Sequence, residues 1–462
     1  MTVIYSARWV LPITSPVIEY GAIAFEESDI VGVGPRTEIV SRFPQAHTQD
    51  FGDAAILPGL VNSHSHLELT VMRGFLEREE NDFSDWLRRL TFARLGMTGG
   101  DLLVSATCGA IEAARAGVTC VGDASSVASQ AIAALHAVGL RGIIYQESFG
   151  PDPSLAVENV AMLREQISEL RALENSLVRI GLSPHAPYTV SAPQLELISR
   201  LAIDENLPLM MHAAESKSER QFMLDGQGVF ADKLRARGIE WQAPGISTIQ
   251  YLSRHGVLET RPLLAHCLNV DERDLGLIQQ SSCGIAHCPK SNAKLGHGRA
   301  PFAEFIKRNL NVGLGSDSMA SNNACDMLEE GRFATLLARL PSDSDDAFRS
   351  GRLPSLGLIT AEEALYAATL GGARALGLND KIGALAEGMQ ADITVVNLNG
   401  AHQQPVRDPA TALIFASSGR DVLLTMVAGK EIYRDGRVNG TDESELQKRL
   451  AQVRSKIDLA SC

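Results

Sequence analysis

Pro58-Gly-Leu-Val-Asn-Ser-His-Ser-His66 is a short apolar run that ends on two imidazoles. The run reads as a buried β-strand. On an extended backbone, positions i and i+2 project from one face, so His64 and His66 can reach a single ion. Alone, such a pair is equally well read as two ordinary loop histidines. Three later stretches repeat the pattern. Leu209-Met-Met-His-Ala-Ala-Glu215 sets His212 directly after an apolar run and a carboxylate three residues on, while Leu264-Ala-His266-Cys and Gly313-Leu-Gly-Ser-Asp317-Ser each end on one titratable group. Desolvating such a group costs several kcal/mol unless it is paired or metal-bound, so four strand ends of this kind argue for one shared site.

Working outward, short apolar runs at 59–62, 118–123, 141–147, 178–184, 209–213, 262–266, 284–287 and 312–316 alternate with Ala/Leu/Glu-rich stretches. Among the latter, 101–116 carries regularly spaced apolar residues, and 154–173 opens on Ser154 as a cap. Such alternation predicts repeated βα units, and eight strands are what a closed (β/α)8 barrel of the TIM type needs, with its active site at the strand ends. Runs at 3–5, 22–25, 30–33 and 55–57, broken by Gly, Pro and Asp, predict further strands, and the texture returns at 391–397 and 422–433. The two ends are expected to pair. The predicted layout is a β-sandwich domain from 1–57 and 386–440, a catalytic barrel over 58–385 and a C-terminal helix over 441–462.

With 462 residues, 45% hydrophobic and 21% charged, the chain can bury one large core and a smaller module besides. A net charge of -13 disfavours nucleic acid as a partner, because phosphate binding depends on lysine and arginine. A small-molecule substrate, neutral or cationic, fits better. The seven cysteines include no C-x-x-C pair, so neither a disulfide framework nor a thiolate zinc site is expected, and a reducing cytoplasm is the simplest setting. The first residues lack a basic start with an apolar core, and no run approaches the ~20 apolar residues of a membrane span.

The ordered set L-P-G-x-V-N-x-H-x-H, H-x-x-E, A-H-C and G-S-D, with Ala386-Glu-Gly-Met-Gln-Ala-Asp-Ile-Thr-Val-Val396 near the end, resembles the amidohydrolase superfamily. The similarity is to its branch of cytosine, guanine and adenosine-derivative deaminases and triazine chlorohydrolases. The resemblance implies His64, His66, His212 and Asp317 as metal ligands, Asp317 also as a base, Glu215 as proton shuttle, and His266 as the group that positions the water or polarises the attacked carbon. Two-metal members bridge their ions with a carboxylated lysine on the fourth barrel strand, whereas the first lysine of this chain is Lys217, so one divalent ion is implied. Zinc suits three imidazoles and a carboxylate with one open position, and ferrous iron satisfies the same ligands. A homodimer is an expectation at family level only.

Substrate identity rests on three further stretches. Ser183-Pro-His185-Ala-Pro-Tyr188, Cys288-Pro-Lys-Ser-Asn-Ala-Lys-Leu-Gly296 and Ser316-Asp-Ser-Met-Ala-Ser-Asn-Asn323 are similar to the pocket linings of deaminases of 5′-substituted adenosines. The similarity gives His185 a substrate contact; read alone, it shapes a turn between two prolines. Asn292 and Lys294 are equally turn and surface residues and receive no site role. Phe83-Ser-Asp-Trp86-Leu resembles the family's lid, where Trp86 either stacks on a purine or packs inside a helix. The stretch Leu90-Thr-Phe-Ala-Arg-Leu-Gly-Met-Thr98 departs from the pattern, because it lacks the carboxylate with which methylthioadenosine-type enzymes hold a ribose diol. The expected activity is a metal-dependent hydrolytic deaminase of an adenine-type substrate: a 5′-substituted adenosine such as aminodeoxyfutalosine, S-adenosylhomocysteine or methylthioadenosine. The alternatives are a triazine, pyrimidine or guanine-type amino- or chlorohydrolase and, from another class, a catalytically silent binding protein on the same barrel.

Overall fold

Alternating apolar residues at the start of the chain form β1 (Thr2–Val10), β2 (Ile18–Glu26), β3 (Asp29–Pro35), β4 (His47–Asp50) and β5 (Ala54–Pro58). The computed structural model describes residues 1–340 and 358–460, so 341–357 of the predicted barrel and the last two positions of the predicted terminal helix, Ser461 and Cys462, lie outside the described residues. β4 is a strand that apolar patterning could not reveal, since His47-Thr-Gln-Asp50 is wholly polar and is held by parallel pairing to β1.

Eight parallel strands follow: β6 (Leu60–His66), β7 (Val118–Ser125), β8 (Arg141–Ser148), β9 (Val178–Pro184), β10 (Met210–Ala213), β11 (Leu263–His266), β12 (Gly284–His287) and β13 (Asn311–Leu314). They pair in sequence order, and a single bridge between Leu182 and Leu209 joins β9 to β10. The barrel closes through β14 (Asp317–Ser318), whose Asp317 pairs with Ser65 and Ser318 with His66 of β6. Helices between the strands cover the outside. The helix placed at 101–116 spans Gly99–Arg115, because Thr98 caps it in a reciprocal box with Asp101. Ser154 is not a cap: Asp152 accepts from the Ser154 backbone and opens a short turn before the helix Ala156–Arg171.

The chain then returns to the first sheet as β15 (Ile393–Asn397), β16 (Val422–Val427), β17 (Lys430–Arg434) and β18 (Arg437–Val438). The run at 422–433 is thus a hairpin, turning at Ala428 and Gly429, both at positive φ. β15 pairs antiparallel with β5, uniting both chain ends in one nine-stranded sheet with a shared core that includes Tyr5, Ile23, Phe25, Ile56, Ile393 and Met426. The last helix, Glu443–Ala460, sets Val453 and Ile457 into a cluster with Leu69, Met72 and Trp86 beneath the lid.

Close approach inside the barrel depends on small residues. A Cβ on Gly122 of β7 would lie 2.4 Å from the Ser63 carbonyl oxygen and 2.9 Å from Leu376. Gly122→Ala is therefore expected to destabilise the protein by about 1–3 kcal/mol. Gly276→Ala has open space around it in the helix Glu272–Ser281 and should leave stability unchanged or raise it by roughly 0.4–1 kcal/mol. Thermal unfolding midpoints of the two variants check this, and equal shifts would contradict it.

Candidate active site

The barrel strands end on the titratable groups. His64 and His66 close β6, His212 lies on β10, His266 ends β11 and Asp317 opens β14. Three of these turns place a non-glycine residue at positive φ, namely Ala214 (53°), His266 (77°) and Asp317 (56°). Each costs roughly 1–3 kcal/mol of backbone strain, which turns the chain sharply where its side chain enters the site.

His64 Nε2 and His66 Nε2 both lie 3.5 Å from Asp317 Oδ1, and His66 Nε2 lies 3.2 Å from His212 Nε2. His212 Nδ1 donates to the His185 carbonyl oxygen at 2.9 Å, so its Nε2 presents a lone pair to the cluster. His64 is fully buried, and neither of its ring nitrogens has a hydrogen-bond partner. Burial lowers its pKa to about 4, keeping the ring neutral. Burial opposes ionisation of Asp317, yet the close approach of the His64 ring and the neighbouring imidazoles hold its carboxyl well below the usual range. Converging imidazoles, an ionised carboxylate and orphaned buried nitrogens are what a divalent ion needs, and they fit one. The fourth barrel strand, β9, ends at Pro184 and is followed by His185; it carries no lysine.

Buried partners fix these side chains. Asp317 Oδ2 accepts from Ser291 Oγ at 2.5 Å and Ser321 Oγ at 2.8 Å. His266 Nδ1 donates to Asn292 Oδ1 at 2.9 Å, leaving Nε2 3.7 Å from Glu215 Oε1, which also lies 3.6 Å from His297 Nε2. Burial raises the Glu215 pKa, but His266 and His297 outweigh it and hold the carboxyl below its ordinary value. Glu219 accepts from the backbone of Ala214 and Glu215 at 2.8 and 2.9 Å, setting the loop that carries Glu215. Deeper, Glu330 accepts from Asn322 Nδ2 at 2.7 Å, and burial pushes its pKa up to about 8.

The cluster forms the floor of a cavity of about 500 Å³. One wall is the helix Phe83–Leu95 with Trp86, Leu87 and Leu90; the other has Phe149, Tyr188 and Phe230. Trp86 is 4% exposed, so it both lines the cavity and packs in the core under the lid. Arg94 of the lid helix reaches the buried Glu68 at 3.6 Å. His185 Nδ1 lies 3.0 Å from Thr189 Oγ1, its ring packs against those of His212 and Phe149, and burial lowers its pKa to about 3. All eight residues singled out from the sequence therefore meet around this cavity. Lys294 does not: it pairs with Glu77 and Glu80 beside the lid. Asn292 was passed over, and so were Ser291, His297 and Glu147, although Glu147 sits at a strand end like the others.

The amidohydrolase family model matches residues 55–432. A 5-methylthioadenosine/S-adenosylhomocysteine deaminase of Nitratidesulfovibrio vulgaris is 31% identical over 445 residues, 95% of this chain and 93% of that protein. A zinc-bound adenosine deaminase of Xanthomonas campestris superposes with a TM-score of 0.84 at 29% identity, covering 99% of this chain and 98% of the other. The zinc complex of an atrazine chlorohydrolase from Arthrobacter aurescens gives 0.82 at 23% identity over 98% and 100%, a likeness of fold.

His64→Ala should take the metal content of the purified protein from one ion per chain towards none, read by elemental analysis; undiminished metal would contradict the ligand set. Glu330 supplies a pH test. Its folded pKa of about 8 lies above the unfolded value of 4.5, so its protonation favours the fold at low pH, and that contribution is lost as pH rises from about 4.5 to 8. The stability of wild type relative to Glu330→Gln should fall over that window, measured as urea midpoints at several pH values.

Proposed function

The chain belongs to the amidohydrolase family, and from that premise we propose that it hydrolytically deaminates the adenine ring of a 5′-substituted adenosine. The observation that carries the reading is the position of Glu215, facing His266 and His297 on the same cavity floor as His64, His66, His212 and Asp317. A carboxylate there is placed to move a proton between water and a ring nitrogen. The relatives that match over nearly the full chain are named for this reaction.

His64, His66, His212 and Asp317 would hold one divalent ion, with zinc favoured by three nitrogens and one oxygen and ferrous iron compatible. When bound, such an ion supplies Lewis acidity that draws the pKa of water towards neutrality. Asp317, ionised and fixed by Ser291 and Ser321, accepts a proton from the attacking water. Glu215 delivers a proton to the ring nitrogen beside the attacked carbon and then to the departing amine, which leaves as ammonia. His266, oriented by Asn292, holds the water against the carbon. His185 and Trp86 contact the base.

The outer cavity indicates the substituent. Apolar side chains of Leu87, Leu90, Phe149 and Phe230 give way at the mouth to Arg88, Lys233 and Arg237. An apolar 5′ group that ends in a carboxylate meets both, which favours S-adenosylhomocysteine and aminodeoxyfutalosine over methylthioadenosine. The described cysteines are all free thiols, consistent with a reducing, cytoplasmic setting.

Ammonia release from the metal-loaded protein, measured against these three nucleosides, adenosine, guanine, cytosine and melamine, is expected to be greatest for a 5′-substituted adenosine. Glu215→Gln should lower kcat by roughly 100- to 10,000-fold while keeping metal content and fold. Turnover near that of wild type would remove Glu215 from its role.

A further inference from the structure

Beside Glu215 lies a buried imidazole that takes no direct part in the reaction. His297 is 8% exposed, and its Nε2 makes no hydrogen bond among the described residues. The polar atom it faces is Glu215 Oε1, 3.6 Å away. A desolvated ring nitrogen without a partner is costly, and a small movement of the carboxylate supplies one. Catalytic contacts of this length tighten when substrate binds. His266 approaches the same oxygen at 3.7 Å, but its proton sits on Nδ1, given to Asn292. The neutral His266 ring then offers a lone pair at Nε2 and cannot donate to a carboxylate. His297 is the imidazole left to do so.

We infer that His297 is a positioning residue of the reaction: its Nε2–H holds Oε1 of Glu215, leaving Oε2 to carry the proton to the ring nitrogen. The inference rests on the role given to Glu215 in the function proposed above. A defined turn brings His297 to this place. The helix Pro289–Lys294 closes with Gly296 at a φ of 67°, where the Gly296 amide donates to the Ala293 carbonyl at 3.2 Å and the His297 amide to the Asn292 carbonyl at 2.9 Å. That paired closure fixes the direction in which the chain, and with it the His297 side chain, leaves the helix. The ring also packs edge to face with Phe83, the first residue of the lid helix, with centroids 4.4 Å apart and planes at 87°. The same short segment orients Asp317 through Ser291 and His266 through Asn292. With His297 it orients all three groups that handle water or protons, whereas Glu219 fixes only the backbone that carries Glu215.

The test is a double-mutant cycle on the metal-loaded protein, with S-adenosylhomocysteine or 5′-methylthioadenosine as substrate, whichever wild type deaminates faster. His297→Phe keeps an aromatic ring against Phe83 but removes the donor, and should lower kcat by roughly 10- to 100-fold with little change in KM. His297→Gln, whose amide nitrogen reaches the place of Nε2, should recover most of that loss. In a Glu215→Gln background the further change His297→Phe should cost almost nothing, because the group it serves is already gone. Metal content and urea midpoints of the variants should match wild type, and His297→Leu takes the place of His297→Phe if the latter does not fold. A wild-type kcat in His297→Phe, an equal loss in His297→Gln, or a full further loss in the double variant overturns the assignment. Glu215→Gln, read first and alone, overturns the shuttle and this inference together if it turns over like wild type. A wild type that releases ammonia only from a sugar-free ring overturns the nucleoside reading, and the same cycle on that ring then decides the role of His297.

Discussion

The backbone pairing of Asp317 with Ser65 joins the last barrel strand to the first, and the site exists only because that joint is made. The same residue that closes the sheet sends its carboxylate against His64 and His66, which belong to the strand it closes upon. Barrel closure and assembly of the polar cluster are thus one event. The arrangement is costly in isolation, since it buries a charge and turns Asp317 into left-handed backbone. Two serine hydroxyls and a ring of imidazoles offset the cost locally, and close packing of the surrounding strands offsets the rest.

Rigidity comes from a short segment with two tasks. Ser291 and Asn292 are neighbours on the helix Pro289–Lys294, yet one holds Asp317 and the other holds His266 on a different strand. A shift of that helix moves both groups together, so their separation is conserved even where their absolute positions are not. Glu219 does the same for the loop after β10 through paired backbone amides. Such outer partners set orientation to within the tolerance that proton transfer requires.

How much of this is legible in the sequence follows from what each element depends on. The barrel strands show as apolar runs because both faces of a parallel strand are buried, and 178–184 and 284–287 coincide with β9 and β12. β6 runs on to His66, well past the apolar 59–62, because pairing to β7 and β14 carries polar residues into the sheet. β4 is invisible for the same reason, as its neighbour supplies the extended conformation. The metal-ligand candidates stand out because they recur at strand ends. Glu147 stands at such an end too, but between Gln146 and Ser148 it is one polar residue among three and does not stand out. Asn292 and Ser291 lie on a helix of six residues, and their partners are distant in sequence, so only the folded chain shows what they hold.

The shared sheet has a consequence for the order in which the protein is made. β1 to β5 leave the ribosome first, but β5 finds its antiparallel neighbour in β15, which is translated only after the whole barrel. Throughout that interval β5 has an open edge, with apolar residues ready to pair with another nascent chain. The lid waits longer still, because its core under Trp86 takes Val453 and Ile457 from the terminal helix. The chain therefore acquires its barrel early and its finished cavity last, after the final helix has emerged.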